Sequence, residues 1–198
     1  MPEISTERAN ELRLEGLKEI EPYLKLISEQ PIRDFTRKCL EAAPVYFWHI
    51  PASSSGKYHP SWAVQECGLL RHVVLTAYLA DELSHTFGLT SDEHDIAVAA
   101  ALLHDTLKYG INYDVRYHDM HSYLPRNYFL KEKKIMLPIG MSQANFKAIF
   151  DAVDTHMGSI ATGAWNPVNR VIPQTLVEQV VHLADYVASR KKINFSDF

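Results

Sequence analysis

The run Ile96-Ala97-Val98-Ala99-Ala100-Ala101-Leu102-Leu103 leaves little freedom to the fold. It is apolar almost all round a helix, so that helix belongs at the centre of a bundle. It leads straight into His104-Asp105, with Lys108 three residues after the aspartate. Polar groups carried into a core are costly unless paired or bound to metal. A hydrolytic metal centre answers that requirement.

The chain has 198 residues, enough for one domain with a substantial core, and 46% of them are hydrophobic. Its net charge of −4 gives no general attraction for nucleic acid or anionic membrane. An anionic substrate has to be drawn in locally, by a metal or a few Arg and Lys side chains. Cys39 and Cys67 make no disulfide framework, which points to a reducing, cytoplasmic compartment. The start, Met1-Pro2-Glu3-Ile4-Ser5, lacks the basic and apolar segments of a signal peptide. No apolar run is long enough to span a bilayer.

Strand signals are few, so the expected fold is all-α. Leu14, Leu17, Ile20, Leu24 and Ile27 recur at helical intervals over residues 5–28, with a break expected near Pro22. Pro31 opens a second helix that buries Phe35, Cys39 and Leu40 and ends by Pro44. Val45 to Ile50 reads as a short extended run, and 51–60 as a loop, the segment expected to be most mobile. A helix over 68–87 stops at Gly88. The next, about 92–108, carries a Thr90/Glu93 capping box and is stopped by Gly110. Residues 111–120 read as a polar connection and 121–134 as a helix despite Pro125. Ser142 caps a helix to about Met157. A loop over 158–173 follows, and Pro173 opens the final helix.

His72, His104, Asp105 and Asp185 each lie on such a helix among apolar neighbours. A bundle brings such side chains together in its core. Two imidazoles and two carboxylates suit Mn, Fe, Ni, Zn or, less well, Mg. The ordered pattern His72, His104-Asp105, Asp185 resembles the HD-domain superfamily of metal-dependent phosphohydrolases, over residues 66–192. The resemblance implies an all-helical HD-domain bundle that hydrolyses phosphoesters. Residues 1–65 fall mostly outside it and are expected to form an N-terminal helical extension packed on the domain, as a lid or a dimer surface. His104-Asp105-Thr106-Leu107-Lys108 resembles the HDxxK form found in multinuclear phosphodiesterases. The acidic residues of the guanosine tetraphosphate hydrolases and the GYP signature of cyclic dinucleotide phosphodiesterases are both missing.

Multinuclear members carry further histidines between the HD pair and the last aspartate. His121 and His156 stand in that order, as second-metal ligands or phosphate contacts, with His118 an alternative to His121. The expected cofactor is therefore one or two divalent ions. Asp105 is the candidate to bridge them and orient water, and Lys108 to offset charge on the phosphoryl group. Arg71, Arg126 and Arg170 are candidate phosphate contacts. His182 is expected to support the site. Glu66, His49, His59, His85 and His94 are expected bystanders, Asp151 and Asp154 surface charges, and Trp165, Tyr109 and Tyr113 packing groups.

The expected substrate is a small phosphoester, nucleotide-like and preferably a phosphodiester, with no strong sign of duplex binding and no membrane partner. A nucleoside mono- or triphosphatase is the alternative within that class, and a metal- and nucleotide-binding sensor outside it. Oligomeric state stays open.

Overall fold

A computed structural model describes residues 4–53, 56, 59–135, 137–158 and 172–191. Among them are seven α-helices and no strand, as the sequence leads one to expect. They are α1 (Thr6–Leu24), α2 (Gln30–Glu41), α3 (Gly68–Phe87), α4 (Ser91–Leu103), α5 (Leu124–Asn127), α6 (Gln143–Thr155) and α7 (Leu176–Ala188).

Several helix starts follow their caps. Ser5 accepts from the Arg8 N–H, the Thr90/Glu93 capping box is formed, and Ser142 accepts from the Asn145 N–H. Pro31 sits in the first turn of α2. Pro22 does not break α1. So near the helix end it removes one backbone donor and the last turn still closes. The final helix begins at Leu176, not Pro173. The Thr175 hydroxyl accepts from the Glu178 N–H while the Glu178 carboxylate accepts from the Gln174 N–H. Val45–Trp48 is a 3₁₀ turn, not an extended run. The tighter turn lets Tyr46, Phe47 and Trp48 all be buried, whereas a strand would have sent alternate side chains outward.

The stretch expected to connect and then form one helix is instead a 3₁₀ segment (Val115–Tyr123), the short α5 and a π turn (Tyr128–Glu132). Pro125 lies in the first turn of α5, where it starts a helix more readily than it continues one.

In the centre, α4 packs against α2, α3, α6 and α7, and α3 packs against α4 and α7. Ala97 to Leu103 are fully buried, as a helix apolar on every side requires. The N-terminal helices share this core. Ile20, Leu24, Phe35 and Leu40 lie in the same buried cluster as Leu69, Leu102 and Val181. Gly16 lets α1 approach so closely that an added Cβ would stand 2.4 Å from the Trp48 ring. Asp95 of α4, fully buried, accepts from the N–H groups of Ser28 and Glu29 and so caps the start of α2. No helix among the described residues is long and apolar enough to cross a membrane.

Candidate metal centre

The central helix stops at Leu103, five residues before the expected end. Beyond it the chain tightens into i→i+3 bonds: Thr106 N–H to Leu103, Lys108 N–H to Asp105, and Gly110 N–H to Leu107. Gly110 then turns with φ +69°. Adjacent residues on a regular helix diverge by about 100°. At this tightened terminus Asp105 Oδ2 comes within 3.7 Å of His104 Nε2 instead.

Around His104 the ligand atoms of three helices converge. His104 Nε2 is 3.3 Å from His72 Nε2 on α3. Asp185 Oδ1 on α7 lies 3.0 Å from His72 Nε2 and 3.8 Å from His104 Nε2. Asp105 Oδ2 is 3.7 Å from both imidazoles. The other carboxylate oxygen of Asp105 faces a second pair. Oδ1 is 2.8 Å from His121 Nε2 and 3.8 Å from His156 Nε2, and those two nitrogens are 3.1 Å apart. His121, not His118, makes this contact. His118 offers its backbone carbonyl to His121 Nδ1 and stacks its ring on Tyr109.

These donors fit a cation. His104, His121 and His156 each bond through Nδ1 to a backbone carbonyl, those of Ala101, His118 and Val153. A carbonyl only accepts, so Nδ1 carries the proton and Nε2 is left with a lone pair. Three lone pairs thus point at each other and at carboxylate oxygens. Asp105 Oδ1 receives no hydrogen bond although it is buried. Burial lowers the pKa of His104 and, further, that of His156, so neither supplies the missing positive charge. Ligand atoms of a tetrahedral or octahedral ion with bonds of about 2.1 Å lie about 3.0–3.4 Å apart, near the spacings seen here.

Lys108 brings a buried positive charge to the centre. Its Nζ donates to Asp105 Oδ2 at 2.6 Å. Burial alone would push Asp105 toward its neutral acid. The Lys108 ammonium more than offsets this and holds the carboxyl well below its usual range. Burial disfavours the ammonium too, yet the Asp105 carboxylate raises its pKa. Asp185 is held low against the cost of burial by the His72 hydrogen bond. Among the described residues the Asp105 and Asp185 carboxylates face the imidazoles with the Lys108 ammonium beside them, a donor set again suited to a cation.

A cavity of about 340 Å³ opens over the centre. Its wall includes Asp105, Lys108, His121, His156 and Asp185, an apolar side of Met157, Leu183 and Tyr186, and Arg190 at the end of α7. His182, expected to play a supporting part, donates from Nδ1 to the His156 carbonyl. Two wall residues escaped the sequence reading. His59, taken as a bystander, meets His72 edge to face with centroids 5.7 Å apart, and burial lowers its pKa to about 3. Arg190 lies 4.0 Å from the centroid of the Tyr186 ring. Its signal is an arginine four residues after Tyr186, just past the end of the helix of Asp185.

Arg126 is elsewhere. Its guanidinium pairs with Asp151 at 2.7 Å and Asp154 at 2.8 Å, and it does not reach the cavity wall. Those two aspartates therefore anchor Arg126 instead of facing only water. Arg71 and Glu66 are exposed. Tyr109 and Tyr113 pack on Tyr46, as expected. Arg170 and Trp165 lie outside the described residues.

Fold and centre together define an all-helical protein built around a buried histidine–aspartate cluster able to hold divalent metal. The HD domain family matches residues 69–190, more than half of the chain. The chain belongs to that family, whose members are metal-dependent phosphohydrolases. No curated protein and no solved structure matches it.

Proposed function

We propose that this chain is a two-metal phosphohydrolase that cleaves a small phosphoester, preferentially a phosphodiester, in a nucleotide-like molecule. One observation carries the reading: Asp105 turns Oδ2 to His72 and His104 and Oδ1 to His121 and His156. A carboxylate so placed can bridge two ions. His72, His104 and Asp185 would hold one ion, and His121 and His156 the other.

Bound divalent metal would lower the pKa of water toward neutrality and polarise a phosphoryl oxygen. The chain's own residues do the rest. Lys108 spends one of its three N–H donors on Asp105 and keeps the others for an anionic oxygen at the cavity wall. Arg190 is held over Tyr186, with Nε donating to the Tyr186 carbonyl and Nη2 to the Ser189 hydroxyl. Its remaining donors suit a second phosphate oxygen or a flanking phosphate. Met157, Leu183 and Tyr186 offer a flat apolar side to a base or similar group. His59 is neutral and its Nδ1 has no partner, so it can hydrogen-bond a bound ligand. The volume suits a small molecule and is too small for a duplex.

The test is hydrolysis of bis-p-nitrophenyl phosphate against the monoester, with manganese or nickel, by wild type and His104→Ala. Diester cleavage lost in the variant is the expected outcome. Cleavage of the monoester alone would remove the diester preference. Metal binding with neither ester cleaved would favour a sensor module.

A further inference from the structure

A second group of ligand-type side chains lies apart from the central cavity. Asp81 and His85 stand one helical turn apart on α3, and His94 lies on α4. His94 Nε2 is 2.7 Å from Asp81 Oδ1, and His85 Nε2 is 3.4 Å from the same oxygen. The two rings lie 5.3 Å apart at 32°. All three ligand atoms fall within 4.8 Å of one another.

Behind His94 stands Asp95. The N–H groups of Ser28 and Glu29 fix its carboxylate, and His94 Nδ1 lies 3.1 Å from its Oδ1. A buried carboxylate on one ring nitrogen keeps the proton there and turns the other nitrogen outward as a donor of electrons. That is the arrangement in which carboxylate–histidine pairs hold metal. A doubly paired His94 cation would satisfy Asp81 and Asp95 unaided. His85, whose side chain is 74% exposed and one turn from Asp81, adds a third ligand-type atom by turning Nε2 toward the same oxygen.

We propose that Asp81, His85 and His94 form a separate site for a zinc-type ion, with solvent completing the coordination. Tetrahedral ligands on zinc lie about 3.3 Å apart, so His85 already stands at the required spacing and His94 has to open by a fraction of an ångström. The ion would tie α3 to α4 and, through Asp95, to the start of α2. Its part is structural, and it does not depend on the chemistry of the central cavity.

The experiment is equilibrium dialysis of the full chain against zinc, followed by metal analysis, on wild type, His85→Ala and His85→Cys. The exposure of His85 keeps both variants folded. Wild type is expected to hold one more zinc per chain than His85→Ala, and His85→Cys to regain it, since a thiolate replaces an imidazole as ligand. The extra ion should also raise the thermal midpoint of wild type and of His85→Cys but not of His85→Ala. Equal zinc content and equal thermal response in wild type and His85→Ala would overturn the site. So would failure of the cysteine variant to bind.

Discussion

Asp105 Oδ1 lies 2.8 Å from His121 Nε2, although the proton of that imidazole is committed to the His118 carbonyl on its other side. Two electron-rich atoms at that distance repel unless a cation stands with them. The contact therefore ties the metal count to His121. His121→Ala is expected to lose the ion shared with His156 while His72, His104 and Asp185 keep theirs, so manganese bound per chain falls by half. His104→Ala should show the opposite selectivity. Removal of metal by chelator should lower the thermal midpoint, since an ion at about 100 times its Kd stabilises the native state by about 2.7 kcal/mol. Elemental analysis of dialysed variants checks the count. Unchanged metal in His121→Ala would rule out the second position.

Lys108 is a buried ammonium whose observed partner is Asp105. Lys108→Met keeps the length and removes the charge. If Lys108 also offsets charge on the phosphoryl group, kcat should fall about 10²–10³-fold, the usual cost of losing one placed electrostatic donor. Metal content, measured on the same samples, separates this from a damaged centre. An unchanged kcat with full metal would confine Lys108 to a structural role.

Much of this was legible in the chain. His72, His104, Asp105 and Asp185 stand out because each interrupts an apolar helical pattern, and burial makes such interruptions expensive. Thr90 and Ser142 announce helix starts because caps act locally. Thr175 and Glu178 carry the same signal two residues beyond Pro173, where the helix starts. The failures are those of tertiary contact. Nothing local says that the helix of His104 tightens at Leu103, that His59 lies against His72, or that Arg126 is taken by Asp151 and Asp154. A cation's partner is set by which helix lies opposite, and local sequence does not encode that.

The two arginines separate cleanly in a binding assay. Arg126 serves the fold: removing it strands Asp151 and Asp154, and burial already raises the pKa of Asp154 to about 6 against the pull of Arg126. Arg126→Ala should cost about 1–2 kcal/mol, between the values for exposed and buried pairs, with KM unchanged. Arg190→Ala should leave the thermal midpoint near wild type and raise KM for a phosphoester about tenfold or more, as loss of one charged hydrogen bond does. Steady-state kinetics and thermal melts on both variants decide it. A raised KM in Arg126→Ala alone would reverse the assignment.

Tyr46 braces the turn that carries Lys108. Its hydroxyl donates to the Gly110 carbonyl at 2.6 Å and accepts from the Tyr109 N–H at 3.2 Å. Tyr46→Phe leaves both backbone groups unpaired in a buried place, at a cost of about 1–3 kcal/mol. For a chain of this size that lowers Tm by roughly 2–4 °C per kcal/mol. The pH dependence follows with a definite sign. Burial, resisted by the Tyr109 hydrogen bond and assisted by the Asp105 charge, raises the phenol far above its ordinary value of 10.0. Above pH 10 the unfolded chain then releases this proton while the folded chain keeps it. The contribution is present in full below the unfolded value and is lost as pH climbs toward the folded one, by up to about 1.4 kcal/mol per pH unit. Tyr46→Phe removes that group, so its stability should fall less steeply with pH above 10 than that of wild type. Denaturant melts of the two proteins across the alkaline range measure the difference. Parallel curves would mean that Tyr46 ionises as freely in the folded chain as in the unfolded one.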